Sequence, residues 1–189
     1  CVARGIYERI DVKPGDVAVV SGPGTIGLFA VELLKSRGAY VIASGLPADK
    51  HRLELALKIG ADETADSLDG LKEAVFRKNP KGADIAVEAS GAEGSLDVCL
   101  NIVRTHGTML QLGHYGERMI RCHLDLVFNK EINFVASNST GMSTWNIALR
   151  LIQEGKVDLA PLLSLKLPLD EWEKGFDAAI SKQAYKVLL

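Results

Sequence analysis

Apolar and polar positions along this chain follow two rhythms in turn. Val17-Ala18-Val19-Val20 is a short β-branched run, the pattern of a strand buried on both faces. Lys13-Pro14-Gly15-Asp16 just before it is a turn: Pro sets φ at its second position and Gly permits positive φ at the next. Over residues 25–37 the spacing becomes helical, with Ile26, Ala30, Leu33 and Leu34 on one side. Gly38 ends that helix.

The cycle then repeats. Strands are predicted at 40–44, 63–65, 84–88, 108–112 and 132–136. Helices are predicted at 49–59, 71–78, 92–103 and 124–129, with Gly60 and Pro80 closing the first two. Strands alternating with helices imply βαβ crossovers and a parallel sheet. The fold class expected is therefore α/β: a three-layer Rossmann fold with a doubly wound, six-stranded parallel sheet.

Beyond about Asn138 the rhythm changes. A helix is predicted at 144–154, ended by Gly155. Leu159-Ala160-Pro161-Leu162 reads as extended. Pro168 opens another helix with Leu169, Trp172, Phe176, Ala179 and Ile180 on one face, and 185–189 reads as a closing strand. The expected organisation is a cofactor-type domain over 1–137 and a C-terminal helical return segment over 138–189. Helical apolar spacing begins at once from Cys1, which reads as a chain entered partway through a longer protein.

Composition narrows the function classes. The 189 residues are 47% hydrophobic and 24% charged, with a net charge of -2, which gives no reason to expect nucleic acid or an anionic membrane as partner. No apolar run approaches the roughly 18 residues of a membrane span. Arg4, Glu8 and Arg9 interrupt any signal-like stretch. Cys1, Cys99 and Cys122 are odd in number and lack CxxC spacing, so reduced thiols and a cytoplasmic location are expected, with no metal site built from this chain alone.

The chemistry signal is Gly22-Pro23-Gly24-Thr25-Ile26-Gly27. G-x-G-x-x-G alone is weak in a chain with 18 glycines. Its place between a β-branched strand and a long amphipathic helix makes it a phosphate-binding turn. Gly22 permits the tight turn, Gly24 lets a pyrophosphate approach the backbone, and Gly27 lets helix and strand pack closely. Amides around Thr25 and Ile26 at the helix start favour the negative charge.

An acid for the adenosine ribose is expected about 20 residues on, at the end of the second strand. Ser44-Gly45-Leu46-Pro47-Ala48 stands there instead, followed by Asp49, Lys50, His51 and Arg52. Two readings stay open. Ser44, Gly45 and a cation such as Arg52 would accept a 2′-phosphate; or Asp49 merely caps the next helix while Lys50 and Arg52 lie on a solvated face. NAD and NADP are therefore both candidates.

Other positions at strand ends are weighed by the rule that ligands bind at the carboxyl ends of parallel strands. Glu88-Ala89-Ser90-Gly91 places Ala89 on the crevice, with Glu88 expected as a structural carboxylate hydrogen-bonded to its loop rather than a catalytic one. Leu112-Gly113-His114-Tyr115-Gly116 ends the fifth strand in the same way. Cys122 and His123 are adjacent and do not share a face, so they form no metal pair. No Ser-His-Asp arrangement, HExxH or Tyr-x-x-x-Lys is present, and no catalytic residue is predicted.

Taken in order, these segments resemble the zinc-dependent medium-chain alcohol dehydrogenases, close to the sorbitol and threonine dehydrogenase branches. Lys13-Pro14-Gly15-Asp16, the glycine turn, Lys58-Ile59-Gly60-Ala61-Asp62, Glu154-Gly155-Lys156-Val157 and the ending Gly175-Phe176-Asp177-Ala178-Ala179 … Lys186-Val187-Leu188-Leu189 carry the resemblance across nearly the whole chain. It implies an NAD(P)-dependent oxidoreductase acting on a small alcohol or carbonyl substrate. Leu112, Gly113 and His114 would line the nicotinamide site, Ala136 and Asn138 would hold the carboxamide through backbone groups, and Lys186 would stand near the pyrophosphate. The family's zinc ligands have no match here, so zinc is expected only in a catalytic domain outside this chain, and the chain alone is expected to be inactive. The resemblance also implies a homo-oligomer, dimer or tetramer, pairing through the sixth strand. A zinc-free quinone-reductase type and a dinucleotide-sensing binding domain are the alternatives.

Overall fold

The computed structural model describes every residue but Lys182 and divides them into two compact units, Cys1–Val157 and Asp158–Leu189. The first unit opens with a helical turn, α1 (Val2–Arg4), continued by a wider π-type turn over Gly5–Arg9. Then follow β1 (Val17–Ser21), α2 (Thr25–Ser36), β2 (Tyr40–Ser44), α3 (Lys50–Lys58), β3 (Glu63–Ala65), α4 (Leu68–Lys78), β4 (Ala83–Glu88), α5 (Ser95–Ile102), β5 (Val103–Gln111), α6 (Asp125–Asn129), β6 (Asn133–Ala136) and α7 (Met142–Gln153). The six strands form one sheet in the order β3-β2-β1-β4-β5-β6, and every pairing is parallel. The expected three-layer, doubly wound α/β fold is what the chain adopts.

Packing follows from the β-branched strands. β1 is buried along Val17 to Val20, so it needs cover on both faces. α2 packs against β1, β2 and β4, beside the N-terminal turns, while α4 and α5 pack together on the strands. Val17, Val19, Ile42, Leu71, Val75, Ala86, Cys99, Leu100 and Met109 belong to one continuous core cluster. Among the described residues no helix is long and apolar enough to cross a membrane.

Several element boundaries depart from the sequence pattern. α4 starts a turn earlier than predicted because Ser67 caps it, its Oγ accepting from the Gly70 N–H at 3.2 Å. α5 begins only at Ser95, after Gly94 in the left-handed region. β5 begins at Val103 because Val103 pairs with Ala83 before the register shifts; His106, at φ +56°, marks the irregularity.

The second unit holds β7 (Leu163–Lys166), α8 (Trp172–Ile180) and β8 (Lys186–Leu188), with β7 and β8 paired in parallel. Residues 159–162, predicted extended, turn instead through a 3₁₀ helix, Ala160–Leu162, where the Asp158 carboxylate accepts from the Ala160 N–H at 3.0 Å. The helix predicted from Pro168 forms as a 3₁₀ turn, Leu169–Glu171, and then α8. Its apolar face is present, but Leu169, Trp172, Phe176 and Ile180 are exposed; Gly175 is the buried residue of the helix, against Val187, Leu189 and Leu167.

Candidate functional site

The sheet register gathers the predicted positions onto one edge. Ser21 pairs with Ser44 on one side and Glu88 on the other; Glu88 pairs with Gln111, and Gln111 with Ala136. These are the last residues of β1, β2, β4, β5 and β6. Gly22, Gly45, Ala89, Leu112 and Ser137 each stand one step beyond. Strand order reverses between β1 and β4, the switch point at which parallel sheets open a crevice. There the Ala89 N–H donates to the Ser21 carbonyl at 2.9 Å and the Gly22 N–H to the Ser44 carbonyl at 2.9 Å.

The glycine turn is built as its sequence requires. Gly22 has φ +101°, a region that strains any side-chain-bearing residue, and a Cβ there would lie 2.7 Å from Ser90 Cβ. A Cβ on Gly27 would lie 1.9 Å from the Gly22 carbonyl oxygen, so α2 reaches β1 this closely only without one. Gly24 differs: its backbone is extended, and a Cβ would meet nothing nearer than Arg52 Nη1 at 3.9 Å. Packing therefore does not require glycine at position 24, whereas close approach of a ligand to the backbone would. Gly24 is also the N-cap of α2 and brings no capping side chain, and the first turn carries no acidic residue. That is a helix end whose dipole favours an anion. Thr25 and Ile26 form this first turn, with Ile26 partly exposed.

At the end of β2 the structure departs from the second of the two open readings. Arg52 does not lie on a solvated face. It is 8% exposed, and its guanidinium stands beside Gly24. Lys50 and His51 are exposed. Asp49 does not cap α3 through its side chain; its carboxylate turns back to accept from the Leu46 N–H at 3.0 Å. Ser44 is buried, and a Cβ on Gly45 would lie 2.8 Å from Pro23 Cγ, so the glycine turn itself closes position 45 to side chains.

Glu88 is fully buried and is the structural carboxylate expected. One oxygen accepts from the Ser90 N–H at 2.8 Å, the Ser90 hydroxyl at 2.6 Å and the Gly91 N–H at 3.0 Å; the other accepts from the Tyr115 hydroxyl at 3.0 Å. Its backbone carbonyl accepts from the Leu112 and Gly113 N–H groups at 2.8 and 2.9 Å. Glu88 thus ties the loop after β4 to the loop after β5. Burial, then the Glu88 charge, pushes the Tyr115 hydroxyl well above its ordinary range, and the same two causes raise the Cys99 thiol. Position 113 admits only glycine, since a Cβ would lie 2.2 Å from Glu88 Oε2.

His114 is exposed, and its Nδ1 accepts from the Gly116 N–H at 2.9 Å. At the end of β6 the Ser137 N–H donates to the Gln111 carbonyl at 3.0 Å. The Asn138 carbonyl accepts from Arg4 Nη1 at 3.2 Å, and Ala136 is exposed. Lys186 lies on β8 of the second unit, opposite Leu163 in the β7 pairing. Sequence reasoning did not single out Ser90 and Tyr115 as the partners of Glu88; the short Glu88-Ala89-Ser90-Gly91 spacing pointed to the first, and no local signal pointed to the second. Among the described residues no group of three or more His, Cys, Asp or Glu is gathered to hold a metal ion.

Comparison with known proteins agrees with this geometry. A family model described as zinc-binding dehydrogenase matches residues 25–154. The D-arabitol-phosphate dehydrogenase of Enterococcus avium is 30% identical over 100% of this chain and 54% of its own length. The sorbitol dehydrogenase of Halalkalibacterium halodurans is 35% identical over 96% of this chain and 53% of its own. Among solved structures, alcohol dehydrogenase TADH from Thermus sp. ATN1 is similar with a TM-score of 0.89 at 27% identity, covering 100% of this chain and 55% of that one. The chain spans about half the length of the curated relatives it matches.

Proposed function

This chain belongs to the zinc-binding dehydrogenase family, and from that premise we propose that it is the NAD(P)-binding part of a zinc-type alcohol or polyol dehydrogenase. The observation that carries the reading is the contrast within the glycine turn: Gly22 and Gly27 are demanded by packing, while Gly24 is demanded by nothing in the protein. A glycine kept at the start of a helix, beside a buried guanidinium, with open space above it, suits a pyrophosphate.

Bound there, the nicotinamide supplies the hydride donor or acceptor for an alcohol–carbonyl interconversion. The residues of this chain orient it. The α2 N-terminus and Arg52 hold the phosphates. Ala89, Leu112, Gly113 and His114, kept in place by Glu88, line the crevice toward the nicotinamide, and backbone groups of Ala136 and Asn138 hold its carboxamide. Zinc, which would polarise the substrate oxygen, is held by residues outside this chain, so the chain alone binds cofactor without turnover. Residues 138–189 form the segment that packs toward that catalytic part, which suits the exposed Trp172, Phe176 and Ile180 face. β6 is an edge strand with Phe134 partly exposed and Phe128, just before it, widely so; this supports a homo-oligomer formed through that edge. Fluorescence titration with NADH tests the function. Saturable binding without alcohol oxidation is expected; metal-dependent turnover by the 189 residues would overturn it.

A further inference from the structure

We infer that the N-terminal turn of the chain sets the shape of the loop after β6, with Arg4 as a positioning residue for the nicotinamide carboxamide; this rests on the dinucleotide reading above. The loop, residues 137–141, joins β6 to α7 at the crevice edge of the sheet. Ser139 stands in it at φ +60°, a left-handed backbone that a side-chain-bearing residue keeps only where its surroundings impose it. Strain of this kind gathers at ligand clamps. The Asn138 side-chain oxygen accepts from the Ser139 N–H at 2.9 Å. The Asn138 N–H itself, on an exposed residue, donates to none of the described residues. An open main-chain donor thus stands where the carboxamide oxygen would accept.

The partners that impose this shape lie at the other end of the sequence. Ser137 is buried, and its Oγ donates to the Cys1 carbonyl at 2.9 Å. Arg4 Nη1 donates to the Asn138 carbonyl at 3.2 Å. Thr144, buried in the first turn of α7, donates its hydroxyl to the Glu8 carboxylate at 3.0 Å, and Glu8 stands 3.9 Å from Arg4 Nε. The N-terminal turn therefore holds the loop at both ends, and Glu8 links the tie on α7 to Arg4. The consequence falls on the peptide between Ser137 and Asn138. The Ser137 N–H before it is held by the Gln111 carbonyl at 3.0 Å, and the Asn138 carbonyl after it by Arg4. The direction of the Asn138 N–H is thus fixed before a ligand arrives. Such preorganisation raises affinity by removing the cost of ordering the loop on binding. Arg4 is partly exposed, so it can be replaced without opening the core.

Calorimetric titration with whichever of NADH and NADPH binds more tightly, and with the matching ADP-ribose or its 2′-phosphate, separates the nicotinamide end of the cofactor from the rest. Arg4→Met keeps an unbranched stem and removes the donor. It is expected to weaken the reduced cofactor about three- to tenfold, the effect of one lost hydrogen bond, and to leave the affinity for the nicotinamide-free ligand unchanged. Arg4→Lys, which keeps the charge and a donor, is expected to fall between. Thr144→Val leaves Arg4 in place and removes the tie to Glu8; a smaller loss, again confined to the reduced cofactor, is expected. A urea midpoint recorded for each variant ensures that affinities are compared in folded protein. Equal weakening of both ligands by Arg4→Met, or no weakening of the reduced cofactor, overturns the inference while leaving the dinucleotide reading intact. Binding of neither ligand by the unaltered chain overturns both.

Discussion

Gly24→Ala separates a structural glycine from a ligand-facing one, and its paired control is Gly27→Ala. At position 27 the added methyl would stand 1.9 Å from the Gly22 carbonyl oxygen, where real Cβ contacts do not fall below 3.0 Å, so helix and turn must part by 3.0 - 1.9 = 1.1 Å. Overpacking of this kind costs about 1–3 kcal/mol. In a domain of this size that lowers Tm by roughly 2–12 °C. At position 24 the methyl meets nothing within 3.9 Å and the backbone is already extended. The cost there is a weaker N-cap, about 0.5–1 kcal/mol, offset by a stiffer unfolded chain worth about as much. Gly24→Ala is therefore expected to keep its urea midpoint and to lose dinucleotide affinity about ten- to hundredfold, the worth of one displaced charge-assisted phosphate contact. Urea denaturation and NADH fluorescence on both variants read the two quantities separately. Unchanged affinity in a folded Gly24→Ala protein would refute the phosphate cradle. Destabilisation as large as that of Gly27→Ala would show that position 24 is held by packing instead.

Other outcomes follow from the same geometry. Glu88→Leu removes the acceptor of four hydrogen bonds from a fully buried position; a loss of about 3–5 kcal/mol is expected by urea denaturation, and a loss under about 1 kcal/mol would contradict its role as the tie between the two loops. The Asp97 carboxyl is held below its ordinary range by the His123 backbone N–H and then by the His123 ring. Because its folded value lies below its unfolded value of about 4, its contribution is present above that pH and is lost as pH falls through the folded value. Asp97→Asn should flatten the urea midpoint over that acid range, and an unchanged pH profile would count against the contact. Phe134→Glu at the exposed β6 edge is expected to shift the protein toward monomer in sedimentation, with dinucleotide affinity retained; an unaltered mass would place the oligomer interface elsewhere.

Much of the fold was legible because the dominant signals are local. β2 and β3 fall on their predicted residues, and for β2 the apolar run Val41-Ile42-Ala43 between Gly38 and Gly45 leaves little choice. What escaped depends on distant partners. The start of β5 looks like a turn in Arg104-Thr105-His106-Gly107, and only pairing with Ala83 makes Val103 a strand residue. Arg52 sits in a basic run for which the sequence left both a ligand-facing and a solvated position open; the structure buries it beside Gly24. Tyr115 was visible as part of a loop, but its hydrogen bond to Glu88 spans 27 residues. The apolar face of α8 was correctly read as a face, while its exposure in this chain follows from tertiary context that periodicity does not carry.

The central claim is that the crevice at the ends of β1 and β4 holds a nicotinamide dinucleotide. Calorimetric titration of the unaltered chain with NADPH and NADH tests it most directly. Saturable binding of a single dinucleotide per chain is expected, abolished or strongly weakened in Gly24→Ala. Absence of heat with both cofactors up to about 1 mM, the upper end of ordinary enzyme affinities, in protein that unfolds cooperatively, would contradict it.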